Sequence, residues 1–249
     1  MIGYADLLED SETMAGDARR IANATAHCRG LLLGMLSVHA VAMVRDGEAV
    51  VLFGGHGAGK SVTGLALAER GWIAVAGDMA LIQVGGHETR PLLVGGSRQY
   101  LLRPASFREW FGSRGQGRIR AGDHGTGVAA RIDITHALGW AEQPAGEIVV
   151  CAAVLVTVDS GAGPIAEVAV MDNHTSASVW YRASSHLVDR VLDDEDAEPL
   201  RCMEAPALAV ARMTLIREAA RALPVRSMFG TPRGIAEAAE ACVLAGARG

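Results

Sequence analysis

Lys60 is the one lysine among 23 Lys and Arg residues, and it stands inside Gly54-Gly55-His56-Gly57-Ala58-Gly59-Lys60-Ser61. That octet has the spacing G-x-x-x-x-G-K-[S/T] of a phosphate-binding loop. Its glycines let the backbone turn tightly and bring N–H groups onto an anion, and a helix starting behind them adds its positive end. A compact, flexible ammonium reaches β- and γ-phosphate oxygens there; a planar guanidinium is bulkier and differently directed. The Ser61 hydroxyl can ligate Mg²⁺, and Val62 continues the loop into the helix. His56 either touches the γ-phosphate or a substrate, or contributes only its backbone N–H.

A second chemical group lies eighteen residues after Lys60, where Asp78 closes the apolar run Trp72 to Ala76. From a strand end beside the loop, a carboxylate can reach a magnesium ion held by Ser61. Asp159 is a rival for that role, because it ends the apolar run Val149 to Val158; followed by Ser160-Gly161, it reads more simply as a turn residue. His39 sits among apolar neighbours and, from the residues alone, reads as a core histidine. His174, in Asp172-Asn173-His174-Thr175, reads as turn chemistry. The sequence has no zinc spacing, nucleophile elbow or dinucleotide fingerprint.

The elements that position these groups follow from periodicity. A strand is expected from Leu36 to Val44, a hairpin turn at Arg45-Asp46-Gly47, and a strand from Ala49 to Phe53 that runs into the loop. A helix from Lys60 to Arg70 stops at Gly71. Further strands are expected at Trp72–Ala76, Ala80–Val84 and Pro91–Val94, the last two around Gly85-Gly86. Ile148–Val158 and Ile165–Met171 read as a pair joined by a Ser160–Pro164 turn, with helices at Pro206–Ala222 and Gly234–Ala245. Residues 1–30 read as an arm, weakly helical from Asp6 to Arg20, and residues 31–249 as a single P-loop domain. Ser113–Gly127, with Arg114, Arg118 and Arg120 among glycines, reads as a mobile loop, and Asp193-Asp194-Glu195-Asp196 as solvated surface. Hairpins on both sides of the loop predict an α/β fold with a mixed sheet flanked by helices, not a wholly parallel one.

Half of the 249 residues are hydrophobic but only 4% aromatic, so the core must be built from Val, Ile, Leu and Ala. A net charge of −5 argues against nucleic-acid or anionic-membrane partners. Cys28, Cys151, Cys202 and Cys242 are widely spaced, and no targeting segment is read, which points to reduced thiols in a cytoplasmic protein. The longest apolar run, Ile148 to Val158, is too short to span a bilayer.

The stretch Ser37-Val38-His39, the glycine octet, and Arg70-Gly71-Trp72 through Gly77-Asp78 resemble HPr kinase/phosphorylase and its smaller relatives. His39 has the spacing of the family's histidine, fifteen residues before Gly54. Gly96 to Pro104 is similar to a Leu-Arg-rich segment of the small homologues, and Leu223-Pro224-Val225 to their terminal strand. The resemblance is firm over residues 35–110 and loose elsewhere; the chain shows no match to the family's long N-terminal domain or its Glu-Ile-Arg-Gly segment, so it does not imply HPr as acceptor. It implies the C-terminal kinase fold, ATP and Mg²⁺ as cofactors, transfer of the γ-phosphate to a hydroxyl, and frequent self-assembly. The acceptor it implies is a seryl group of a peptide or protein. A small-molecule alcohol is the competing acceptor, and a non-catalytic nucleotide-binding regulator the competing class. His39 becomes a candidate general base or a partner orienting Asp78, while Arg98, Arg103 and Arg131 become candidates for holding the moving phosphoryl group. One departure stands out: the family has two adjacent aspartates where this chain has Gly77-Asp78. The missing first one is thought to handle the substrate proton.

Overall fold

The computed structural model describes residues 16–85, 89–97, 100–112, 132–133, 146–189 and 200–246. Arg98, Arg131, the Gly/Arg loop, Gly86 and the acidic run at 193–196 lie outside them. The chain begins with helix α1 (Gly16–Leu32) and continues through β1 (Met35–His39), β2 (Val41–Arg45), β3 (Glu48–Phe53), α2 (Lys60–Ala68), β4 (Ile73–Ala76), β5 (Met79–Gln83) and β6 (Leu92–Gly96). It then passes through β7 (Leu101–Leu102), α3 (Pro104–Phe111), β8 (Ile132–Asp133), β9 (Val149–Val158), β10 (Glu167–Val170), α4 (Asn173–Ser185), α5 (Pro206–Ala222), β11 (Val225–Gly230) and α6 (Pro232–Gly246).

Among the described residues nine strands form one mixed sheet, in the order β1-β5-β6-β9-β3-β2-β4, with β11 added to β9 and β10 to β11. The expected α/β fold with helices flanking a mixed sheet is what the structure shows. β9 is its axis: ten residues, buried for most of their length, parallel to both β3 and β11. Val-rich sequence without alternation is what a strand covered on both faces requires. β2 and β3 form the expected hairpin, closed by Asp46 at φ 53° and Gly47 at φ 79°; two successive left-handed residues make the turn whose twist matches the strands.

Two expectations are corrected. Leu36–Val44 is not one strand: it breaks at Ala40, because β1 pairs with β5 whereas β2 pairs with β3 and β4. The Ala40 N–H leaves the ladder and donates to the Asp78 carbonyl at 2.9 Å. Nor do β9 and β10 form a hairpin. β11, arriving from far along the chain, takes the place beside β9 and leaves the exposed β10 at the edge.

Helices cover the sheet in two layers. Leu31 of α1, Trp180 and Ala183 of α4, and Leu215, Ile216, Ala219 and Ala220 of α5 pack into one core cluster. Val62, Ala66 and Leu67 of α2, Phe107 and Phe111 of α3, and Ile235, Ala236 and Ala239 of α6 pack into the other. A buried charge network ties the first layer together. Arg212 of α5 grips Glu204 bidentately at 2.7 and 3.0 Å and donates to the Ser185 hydroxyl at 2.5 Å. His27 of α1, fully buried, approaches the same carboxylate at 3.9 Å, an ion-pair separation too long for a hydrogen bond. Burial alone would push the Glu204 carboxyl up, but His27 and the Arg212 guanidinium hold it down at about 2; the bidentate geometry makes Arg212 the stronger partner.

Candidate functional site

The phosphate-loop sequence is followed by the backbone its spacing predicts. β3 ends at Phe53, the loop turns, and α2 begins at Lys60. Gly59 has φ 102°, and a Cβ there would lie 2.2 Å from Val158 Cγ2, so both backbone conformation and space exclude a side chain. The Ala58 carbonyl accepts from the Val158 N–H at 3.0 Å, clamping the loop to β9. Lys60 is 8% exposed, and its Nζ donates to the Gly54 carbonyl at 2.7 Å and the Gly55 carbonyl at 3.4 Å. The ammonium thus spans the loop it serves. Burial lowers its pKa, and the Asp78 carboxylate works in the opposite direction.

Behind the loop, Tyr100 is fully buried and its hydroxyl donates to the Ser61 carbonyl at 2.8 Å. It fits because Gly64 has no side chain: a Cβ there would lie 1.9 Å from the Tyr100 oxygen. Burial pushes the phenol pKa well up, so Tyr100 remains a neutral donor. Arg103, at the extended residue capping α3, meets the His56 ring of the loop. The structure therefore gives both residues a position on the loop's outer rim.

The break at Ala40 delivers the second half of the site. It leaves His39 at the end of β1, opposite Met79, with its Nε2 3.1 Å from Asp78 Oδ1. The turn that presents Asp78 is braced by one hydroxyl: Ser97 Oγ accepts from the Asp78 and Met79 N–H groups at 3.1 and 3.0 Å. Gly96 permits that approach, since a Cβ on it would lie 2.3 Å from the Met79 carbonyl. His186, at the C-terminal end of α4, stacks on His39 with ring centroids 4.0 Å apart and 19° between planes. Crowding by protein would raise the Asp78 pKa, but the hydrogen bond and charge of His39, with His186 and Lys60, depress it to about 2. The Asp78 side chain is nonetheless 64% exposed. The two observations agree if Asp78 stands at the floor of an open cleft, walled by protein and wetted from above.

That cleft encloses about 790 Å³ between the two helix layers. The loop residues, α2 and Arg103 form one wall, and His39, Gly77 and Asp78 the floor. The facing wall is built from Arg20 and Asn23 of α1 and from Val179, Arg182, Ala183 and His186. Gly54, Gly55, His56, Gly57, Gly59, Lys60, Ser61, Val62, His39, Asp78 and Arg103 are thus brought to one cavity, with Ala58 clamped to β9 behind the loop. Asp159 is not in the lining; its carboxylate accepts from the Gly161 N–H at 2.7 Å in the expected turn. His174 is the second residue of α4, whose N-terminus Asp172 caps by accepting from the Thr175 N–H at 2.8 Å. What reads as a turn is a helix start, and the helix with its C-cap brings Val179, Arg182, Ala183 and His186 to the cleft, none of them singled out by the sequence. Arg20 and Asn23 were passed over too.

The donor set fits a magnesium nucleotide. Among the described residues no three His, Cys, Asp or Glu side chains converge as metal ligands. A magnesium ion bound by one hydroxyl and one ionised carboxylate, with phosphate oxygens and water completing it, needs no such cluster.

No family model matches the chain, and no curated protein does. Among solved structures the chain is similar to the HPr(Ser) kinase/phosphatase from Coxiella burnetii, at 11% identity over 84% of this chain and 94% of that one, with a TM-score of 0.33. All four cysteines are free, and no described helix is long and apolar enough to cross a membrane.

Proposed function

We propose that this protein is a phosphotransferase that moves the γ-phosphate of ATP, as its magnesium complex, to a hydroxyl group. The carrying observation is that a phosphate loop with a buried lysine shares one cleft with an ionised carboxylate and a hydrogen-bonded histidine. Loop amides and Lys60 would bind the triphosphate, and Ser61 with Asp78 would hold the metal, which supplies charge neutralisation at the transferring group. A carboxylate held near pKa 2 stays ionised at neutral pH and is a poor proton acceptor, so it suits cation binding better than general-base work. That leaves His39 to orient the carboxylate and assist the acceptor's proton. The sequence resemblance points to a seryl hydroxyl of a peptide or protein.

One feature favours a second reading, a nucleotide-binding regulator with little transfer. Gly77 lines the cleft where the resembled family carries its proton-handling aspartate. Incubation with Mg-ATP and hydroxyl acceptors, followed by mass, separates the two. Phosphate on an acceptor, lost in Lys60→Ala, is the result expected; tight ATP binding with no transfer to any acceptor would establish the regulator instead.

A further inference from the structure

The helix layer opposite the phosphate loop places one arginine between the height of the loop and that of Asp78. Helix α4 is pinned to the rest of the site at two points. Trp180, fully buried, meets Phe53, the residue just before the loop, with ring centroids 4.8 Å apart. His186, which continues the helical backbone as C-cap, stacks on His39 at 4.0 Å, and His39 Nε2 lies 3.1 Å from Asp78 Oδ1. Arg182 falls between these pins, on the face that brings Val179, Ala183 and His186 to the cleft. At the helical rise its Cα stands about 3 Å along the axis from Trp180 and about 6 Å from His186.

The direction of the side chain follows from the helix. Helical side chains lean toward the N-terminus; on α4 that is away from His186 and toward the end pinned at Phe53. Gly54 follows Phe53, and its carbonyl accepts from Lys60 Nζ at 2.7 Å. Arg182 thus leans from the Asp78 end of the cleft toward the Lys60 end, on the wall that faces the loop. It is exposed, and among the described residues no hydrogen bond or ion pair engages it. Arg20, on the neighbouring helix, has contacts of its own. A cation in the last turn of a helix complements the helix dipole whichever way it faces. The position on the cleft face is what the dipole leaves unexplained.

We propose that Arg182 is a catalytic residue that holds the γ-phosphoryl oxygens from the side opposite the loop. This rests on the phosphotransferase reading above and adds to it the group that clamps the moving phosphoryl. Lys60 and the loop amides reach the β- and γ-phosphates from one side only. In transfer, the acceptor oxygen bonds to the γ-phosphorus and the bond from that phosphorus to the β–γ bridging oxygen breaks. ADP leaves with the electron pair, and the hydroxyl proton passes to His39. The phosphoryl oxygens stay negative throughout, and a planar guanidinium fork fits two of them at once.

The test needs no acceptor. Calorimetry compares Mg-ADP, Mg-AMP-PNP and Mg-ADP with aluminium fluoride, a mimic of the transferring group, on wild type and Arg182→Gln. Mg-ADP, which lacks the γ group, should bind both proteins within about twofold. Mg-AMP-PNP should bind the variant roughly tenfold more weakly, the low end for hydrogen bonds to a charged group at a solvated site. The aluminium fluoride complex should lose more than Mg-AMP-PNP does. Arg182→Lys should recover only part of each loss, because an ammonium is a point charge without the fork. Equal losses for ADP and AMP-PNP would overturn the proposal, since the arginine would then serve the whole nucleotide or the fold. So would unchanged affinities for all three, which would leave the phosphotransferase reading intact. If the losses follow the γ group while wild type transfers phosphate to no acceptor, the proposed contact stands and the phosphotransferase reading falls. Failure of wild type to bind any of the three would bring down both.

Discussion

The loop makes its sharpest prediction at Gly59, where two independent constraints meet in one hydrogen atom. A Cβ at this residue would lie 2.2 Å from Val158 Cγ2 and 2.6 Å from Val158 Cβ. Val158 cannot easily withdraw, because its N–H is bonded to the Ala58 carbonyl and its strand is held between β3 and β11. Overpacking of this kind costs about 1–3 kcal/mol. The φ of 102° adds the left-handed penalty of a non-glycine residue, about 1–2 kcal/mol. Gly59→Ala should therefore destabilise the nucleotide-free protein by about 2–5 kcal/mol, read as a lowered urea midpoint at unchanged slope. The two parts separate in a double-mutant cycle. In a Val158→Gly background the steric part vanishes, and the Gly59→Ala penalty should shrink to the conformational part alone. Val158→Ala should relieve it only partly, since the closer Cγ2 goes but the Cβ stays. A Gly59→Ala cost below about 1 kcal/mol, or an equal cost in both backgrounds, would refute the reasoning.

Other predictions concern the floor and the buried network. His39→Ala should lower turnover by about a hundredfold or more, the range of general acid–base contributions, while ATP affinity is largely kept; a loss of affinity alone would make His39 a binding residue. Gly77→Asp should raise phosphate transfer if a second carboxylate is what the floor lacks, and unchanged transfer would show that the present groups suffice. For pH, Glu204 has a folded pKa depressed to about 2 from an ordinary 4.5. Its stabilisation is complete above the unfolded value and is lost as pH falls from about 4.5 toward 2. Glu204→Gln should flatten that part of the stability profile in acid denaturation, whereas a profile as steep as wild type would assign the acid sensitivity to other carboxylates.

The loop was legible in sequence because its strand, glycine turn and helix all lie between Glu48 and Ala68. Asp78 was legible for the same reason, as the end of a short apolar run. His39 was not legible from its own surroundings. Its place beside Asp78 depends on β1 leaving β2 at Ala40 to pair with β5, a choice made by residues about forty positions downstream. The false hairpin between β9 and β10 has a similar origin, since a Ser-Gly-Ala-Gly-Pro turn predicts adjacency and only the arrival of β11 forbids it. Helix α4 could have been found. Asp172 three residues before Thr175 is a helix-capping signal, and Val179, Trp180, Ala183 and Leu187 repeat at helical spacing behind it.

Those same non-local choices would make nucleotide binding and transfer separable under the proposed phosphotransferase reading. In that reading, binding would rest on the loop itself, a strand–turn–helix unit local in sequence and clamped from afar by Val158 and Tyr100. Transfer would rest on a floor assembled from the ends of β1 and β4 and a wall assembled from α1 and α4, segments distant in sequence that line one cleft. Gly77 lies on the cleft floor, apart from the loop's clamps to β9 and Tyr100. With Asp78 held ionised, the imidazoles of His39 and His186 are the remaining candidates on this side of the cleft for handling a proton. With glycine at 77, the cleft could hold ATP tightly without transfer, unless the stacked pair of His39 and His186 handles the proton. His186 decides between these: a variant such as His186→Phe keeps an aromatic partner for His39 but removes the second imidazole. If turnover falls and its pH profile changes while ATP affinity holds, the pair handles the proton; an unchanged profile would make the stack a packing contact.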